Sequence, residues 1–133
     1  MRLPASIVLG RLNRMQRQHE AADSLFHEAL NVGSRLLEAR PGAADIHMRI
    51  GEAYVGLGDT DTAMIFLNMA EFLEYRPYYV GRILVAIGNA YDLLRMRDQA
   101  VAHYRRVLEI PTSYPAQAEA RKYLKEPYKA GRA

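Results

Sequence analysis

The sequence predicts an all-α fold of stacked helix pairs, and three observations carry that prediction. A short string recurs: residues 47–54 read His-Met-Arg-Ile-Gly-Glu-Ala-Tyr, residues 84–91 read Leu-Val-Ala-Ile-Gly-Asn-Ala-Tyr, and both contain Ile-Gly-x-Ala-Tyr. Fixed offsets follow each glycine. Twelve residues after Gly51 and Gly88 come Ala63 and Ala100, four further on Leu67 and Tyr104, and three beyond those Ala70 and Val107. Turn-forming clusters rich in glycine and proline then separate the apolar stripes at the intervals that helix pairs need.

A third copy of the same frame lies upstream, with Leu9-Gly10, Ala22, Phe26 and Ala29 at the same internal offsets. The distances between successive frame glycines are 41 and 37 residues, so the units share one frame and differ in their joints.

Taken in order, the frame predicts helices at about 4–16, 19–39, 44–57, 60–75, 78–94, 98–109 and 116–126. The first is apolar at Leu3, Ile7, Val8, Leu9, Leu12 and Met15, and the second carries the stripe Ala22, Phe26 and Ala29 until Arg40-Pro41-Gly42 breaks it. In the third, His47, Ile50, Gly51 and Tyr54 share one face of a 3.6-residue wheel. Gly56-Leu57-Gly58-Asp59 ends it, and Asp59 or Thr60 is placed to cap the fourth.

Ala63, Leu67 and Ala70 form an i, i+4, i+7 stripe on the fourth helix, and Ala100, Tyr104 and Val107 repeat it on the sixth. Glycine inside a helix costs about 1 kcal/mol relative to alanine. The recurrence of Gly51 and Gly88 therefore marks places where a neighbouring helix comes too close for a side chain, the stripes being what approaches. Arg76-Pro77 and the run Pro111 to Pro115 separate the pairs. The last helix sets Ala116, Ala120, Tyr123 and Leu124 on one side and Arg121, Lys122 and Lys125 elsewhere, the pattern of a terminal cap on stacked repeats.

This frame resembles the tetratricopeptide repeat, whose outline is a large residue, two spacers, Leu-Gly, two spacers and Tyr, followed by Ala and an aromatic residue. The resemblance covers residues 3 to about 114 and is nearest to the variety with periods near 40, known from kinesin light chains and many bacterial regulators. It implies a right-handed α-solenoid of about three antiparallel helix pairs plus a C-terminal capping helix. One domain would span residues 1–133, with repeats at about 3–40, 44–77 and 81–114 and the cap at 116–126. The sequence departs from the outline where Ser6, His47 and Leu84 replace the opening Trp, and where Asn13 replaces the Tyr of copy one.

The totals agree with one small domain. Of 133 residues, 50% are hydrophobic and 25% charged, a globular balance. The absence of cysteine excludes disulfides, thiolate metal sites and cysteine nucleophiles. No apolar run approaches the ~18 residues of a membrane span. The Ile7-Val8-Leu9 stretch is too short for a signal-peptide core, so a cytoplasmic protein is expected. The net charge of +3 is scattered among acidic residues, which fits a solvated helical surface better than a nucleic-acid footprint. Fifteen arginines against three lysines match the usage of a GC-rich bacterial genome.

No reaction chemistry emerges. His19, His27, His47 and His103 form no His-Glu-x-x-His arrangement, and His47 occupies the large-residue place of the frame, where packing explains it. The run Gly56 to Thr62 lacks both the Gly-Lys-Ser/Thr of a phosphate loop and the distant acid of a calcium loop. Tyr54, Tyr91, Tyr104 and Tyr123 fall on core stripes, whereas Tyr75, Tyr78 and Tyr79 around Pro77 are candidates for a contact surface. Neither enzymatic activity nor a cofactor is expected.

The expected function is protein–protein interaction, as a scaffold or adaptor holding a peptide segment or another copy of the chain. The alternatives are a regulatory or sensory fragment of a larger protein, such as a transcription regulator, and, more remotely, nucleic-acid binding. In the resembled family the first helix of each pair lines the concave side. That implies a peptide-binding face of Arg11, Arg14, Met48, Arg49, Glu52, Arg82, Val85 and Asn89, with a slight positive excess suited to a partly acidic peptide. The apolar first helix has no polar capping helix before it in this sequence, so that end is expected to dock on a second copy or a partner.

Overall fold

The computed structural model describes residues 5–111 and 114–129, with side chains from residue 16 onward. Among these residues the chain forms six helices and no strand: α1 Ala5–Ala39, α2 Ala44–Leu57, α3 Thr60–Leu73, α4 Pro77–Leu93, α5 Arg97–Leu108 and α6 Tyr114–Lys125. Consecutive helices pack in sequence, and α4 additionally touches α2 and α6, so the helices stack as an all-α solenoid.

Local chemistry sets the joints. Gly58 takes the left-handed conformation (φ 80°) that ends α2, and its N–H reaches the Val55 carbonyl at 3.0 Å. Asp59 then caps α3, accepting from the Thr62 N–H at 3.3 Å and the Thr62 hydroxyl at 2.9 Å. Pro77 opens α4, where its missing N–H costs no helical bond. The turn after α4 again passes through a left-handed residue, here Arg95 (φ 59°). Gly58 and Arg95 occupy the same place in the frame, seven residues after Gly51 and Gly88.

The frame glycines seat their partners as the spacing predicts. A side chain on Gly51 would begin 2.6 Å from the Leu67 side chain, and one on Gly88 would collide with the Tyr104 ring. Two contiguous cores result. Met48, Val55, Leu67, Ile83 and Ile87 join α2, α3 and α4, and Leu84, Val85, Tyr104, Val107 and Ala120 join α4, α5 and α6.

The first repeat differs from expectation. In place of helices at 4–16 and 19–39 there is one continuous helix, α1, which contacts α2 alone among the described helices. The joint differs from that of copy two. The residue seven after Gly10 is Arg17, and the next is Gln18, where copy two has left-handed Gly58 and capping Asp59. Arg17-Gln18 thus has neither a helix-ending glycine nor an N-cap side chain, and residues of good helical propensity favour a continuous helix there. Arg95-Met96 in copy three lacks both as well and still turns, so the missing signals permit the continuous α1 without requiring it.

Candidate functional site: the inner face of α2, α4 and α6

The helices that touch across repeats, α2, α4 and α6, form one face, and a cleft of about 230 Å³ opens on it. It is lined by Glu52 from α2, Tyr78 and Arg82 from α4, and Pro115, Ala116 and Glu119 from α6. Arg82 spans the floor. Its Nε and Nη2 donate to the two Glu52 carboxylate oxygens at 2.9 and 2.8 Å, a two-pronged pair that ties α2 to α4. Glu52 holds the Arg82 guanidinium above its ordinary pKa against the opposing pull of partial burial, and Glu119 across the cleft adds to the effect. Two carboxylates thus surround one guanidinium, and the rim offers the half-exposed Tyr78 ring.

The residues expected on this face are only partly brought together. Glu52 and Arg82 are there, as a pair. Met48 and Val85 are corrected: both are buried, Met48 in the α2–α3–α4 core and Val85 in the α4–α5–α6 core. The wheel set them on the open side, but each inner helix packs against the inner helix of the next repeat as well as against its own partner. That second contact removes a flank of the face from solvent. Arg49 is exposed, yet it lines a separate groove between α1 and α2. Asn89 turns to the interior, where its side-chain oxygen accepts from the Tyr104 hydroxyl at 2.9 Å. Arg11 and Arg14 belong to α1, and their side chains lie outside the described residues. The positive excess expected of the face is absent from the cleft.

Glu119 was missed in the sequence, where α6 reads as a cap. It stands four residues before Tyr123 and three after Ala116, at the margin of the apolar stripe, and that spacing could have placed it beside the cleft.

Behind the face lies a buried polar knot. The Asp92 carboxylate accepts from the Tyr104 hydroxyl at 2.7 Å, from Arg97 at 3.0 and 3.1 Å and from the Tyr128 backbone N–H at 2.9 Å. Arg97 also donates to the Tyr123 and Leu124 carbonyls at the end of α6. This knot anchors α6 and residue 128 against α4 and α5, and so holds the α6 wall of the cleft in place. His47 has the packing role expected of it: its Nδ1 lies 2.9 Å from the Ala43 carbonyl oxygen, and its ring lies against Phe66.

Stacked helix pairs with glycine-seated joints and a polar cleft on the inner helices define a helical-repeat domain. A tetratricopeptide-repeat family model matches residues 44–70 and 81–114, the second and third copies of the frame. The chain carries a tetratricopeptide-repeat domain. No curated protein shows significant sequence similarity to it. Among the described residues, no helix is long and apolar enough to cross a membrane.

Proposed function

We propose that the protein is a scaffold that holds a peptide segment of another protein in the α2–α4–α6 cleft. Tetratricopeptide repeats generally mediate protein–protein interaction, and the observation that supports this cleft as the seat is its chemistry. Glu52 already occupies Arg82, which leaves the Glu119 carboxylate facing the cleft beside the Tyr78 ring. Such a site suits a segment offering a basic side chain to Glu119 and an apolar or aromatic one to Tyr78. The partly acidic ligand expected from the arginine count fits this balance less well, because the one arginine in the cleft is already paired.

The test is affinity capture from native cell extract followed by mass spectrometry, comparing the natural chain with Tyr78→Ala/Glu119→Lys. Both side chains stand at the cleft rim outside the core, so the variant keeps its helical spectrum and melting temperature. A partner held by the natural chain and lost by the variant supports the cleft; a partner retained at equal level by both refutes it.

A further inference from the structure

The frame explains a groove that the peptide cleft does not use. In copies two and three the outer-helix stripe is fully covered, Ala63, Leu67 and Ala70 in the core completed by α2 and α4, and Ala100, Tyr104 and Val107 in the core completed by α4 and α6. Gly51 is set against Leu67 and Gly88 against Tyr104. The equivalent stripe on α1 is Ala22, Phe26 and Ala29. Ala22 and Phe26 are only half-buried and Ala29 is exposed. Around it the apolar side chains Leu25, Val32 and Leu36 stand 66%, 48% and 47% exposed at helical spacing. Together with Ile46 and Arg49 of α2, residues Ala29, Val32 and Leu36 line a groove of about 450 Å³. By the 37-residue offset, Ile46 and Arg49 correspond to Ile83 and Ala86, which help to form the core between α3 and α4 that Met48 and Val55 of α2 fill. The α1–α2 groove is therefore the seat of an inner helix, and it is open.

The inner helix for that seat exists in the sequence. Residues 5–16 carry Gly10 in the place of Gly51, and Ile7 in the place of Met48. Yet α1 runs straight through the joint, and at 1.5 Å per residue residue 10 stands about 24 Å along the helix from Phe26, its frame partner. The segment cannot occupy its own groove while α1 is continuous. Instead it extends past the end of α2: Phe26 lies against Gly56 near the last turn of α2, leaving about 30 Å of α1 beyond it.

We propose that residues 5–16 of one copy fill the α1–α2 groove of a second copy, and the second copy's residues 5–16 fill the first, in a reciprocal exchange. Exchange of an identical element needs no new complementarity, because each groove receives the helix that its frame already matches. By the frame, Gly10 is then set against Phe26 of the other copy as Gly51 is against Leu67, and Ile7 takes the place toward Ala29 that Met48 holds in the core it shares with Ala70.

The absence of natural cysteines allows a direct test with the full chain. Chains carrying Ile7→Cys and chains carrying Ala29→Cys are mixed, refolded together and oxidised, and the double variant is oxidised at low concentration. Exchange predicts a disulfide between the two single-variant chains and a covalent dimer of the double variant, with light scattering at twice the monomer mass for the natural chain. It also predicts that Val32→Glu, at a position half-exposed in the single chain, gives a folded monomer. A double variant that closes its disulfide within one chain would mean that the segment folds back on its own groove, and would overturn the exchange. So would a natural chain that stays monomeric at high concentration, or a dimer that Val32→Glu leaves intact. None of these readouts depends on the α2–α4–α6 cleft.

Discussion

A side chain on Gly51 would begin 2.6 Å from Cγ of Leu67, sixteen residues away and on the next helix. Gly88 bears the same relation to Tyr104. The pairing places a small residue on each inner helix opposite a large one on its outer helix, and lets the two axes approach closely.

Gly51→Leu and Gly88→Leu should therefore each overpack a joint and cost about 1–3 kcal/mol, more at Gly88, where a rigid ring is the obstacle. Gly42→Leu serves as control, since nothing lies within 4 Å of a side chain there. Urea unfolding midpoints measure all three. A Gly88→Leu midpoint equal to that of the control would contradict the packing.

Asp92, on α4, serves three donors, Arg97 and Tyr104 from α5 and the Tyr128 N–H from the segment after α6. Asp92→Ala would strip Arg97 and the Tyr104 hydroxyl of their shared acceptor, and a hydrogen bond to a charged group contributes about 1.5–3 kcal/mol. Loss of at least that much in denaturant unfolding is expected, with hydrogen exchange rising first in α6, whose carbonyls Arg97 holds. Destabilisation with unchanged α6 protection would dissociate the knot from the cleft wall.

The same knot sets an alkaline limit. Burial pushes the Tyr104 hydroxyl above its ordinary value near 10, and its bond to the Asp92 carboxylate pushes it further in the same direction. Burial likewise raises Tyr123 and Tyr128. A raised folded value means that the stabilisation is complete below the unfolded value and is lost as pH rises beyond it. Melting temperature should accordingly fall steadily above pH ~10. Tyr104→Phe, less stable at neutral pH by about 1 kcal/mol or more, should show a shallower fall. Parallel curves for the two proteins would rule out Tyr104 as the titrating group.

Arg17 holds the frame position that Gly58 and Arg95 occupy in left-handed turns. Arg17→Gly/Gln18→Asp transplants the Gly-Asp joint of copy two into α1. A left-handed glycine followed by an N-cap favours a turn over a continuous helix. The expected product is a hairpin closing on its own groove, detected as a monomer in light scattering and as an intramolecular disulfide when Ile7→Cys/Ala29→Cys is added. If this variant has the mass and the cross-linking of the parent, the joint does not control the first repeat.

What the sequence by itself determined is the periodic part of the protein. The frame glycines, the stripes that meet them, the capped turn at Gly58-Asp59 and the break at Pro77 are local signals. Each acts through residues within one helix or one joint, so spacing alone located helices α2 to α6 and the small-against-large pairing. The tertiary structure decided what depends on several helices at once. A wheel drawn on α2 or α4 has one inside and one outside, yet each inner helix has neighbours in its own repeat and in the next, and this buried Met48 and Val85 and turned Asn89 inward. Arg82 counted as a free positive charge until α2 and α4 came together and set Glu52 two-pronged upon it. The cleft needed α6 for its second carboxylate, contributed from a helix whose pattern spoke only of capping. Copy one shows the same division in a single element. Its offsets are those of a repeat, but a helix pair also requires the chain to stop between the two helices. At Arg17-Gln18 the chain does not stop, whereas at Arg95-Met96, equally without a glycine or a side-chain cap, it does. The local signals of the two joints are alike, and α1 runs on and leaves the groove beside α2 open.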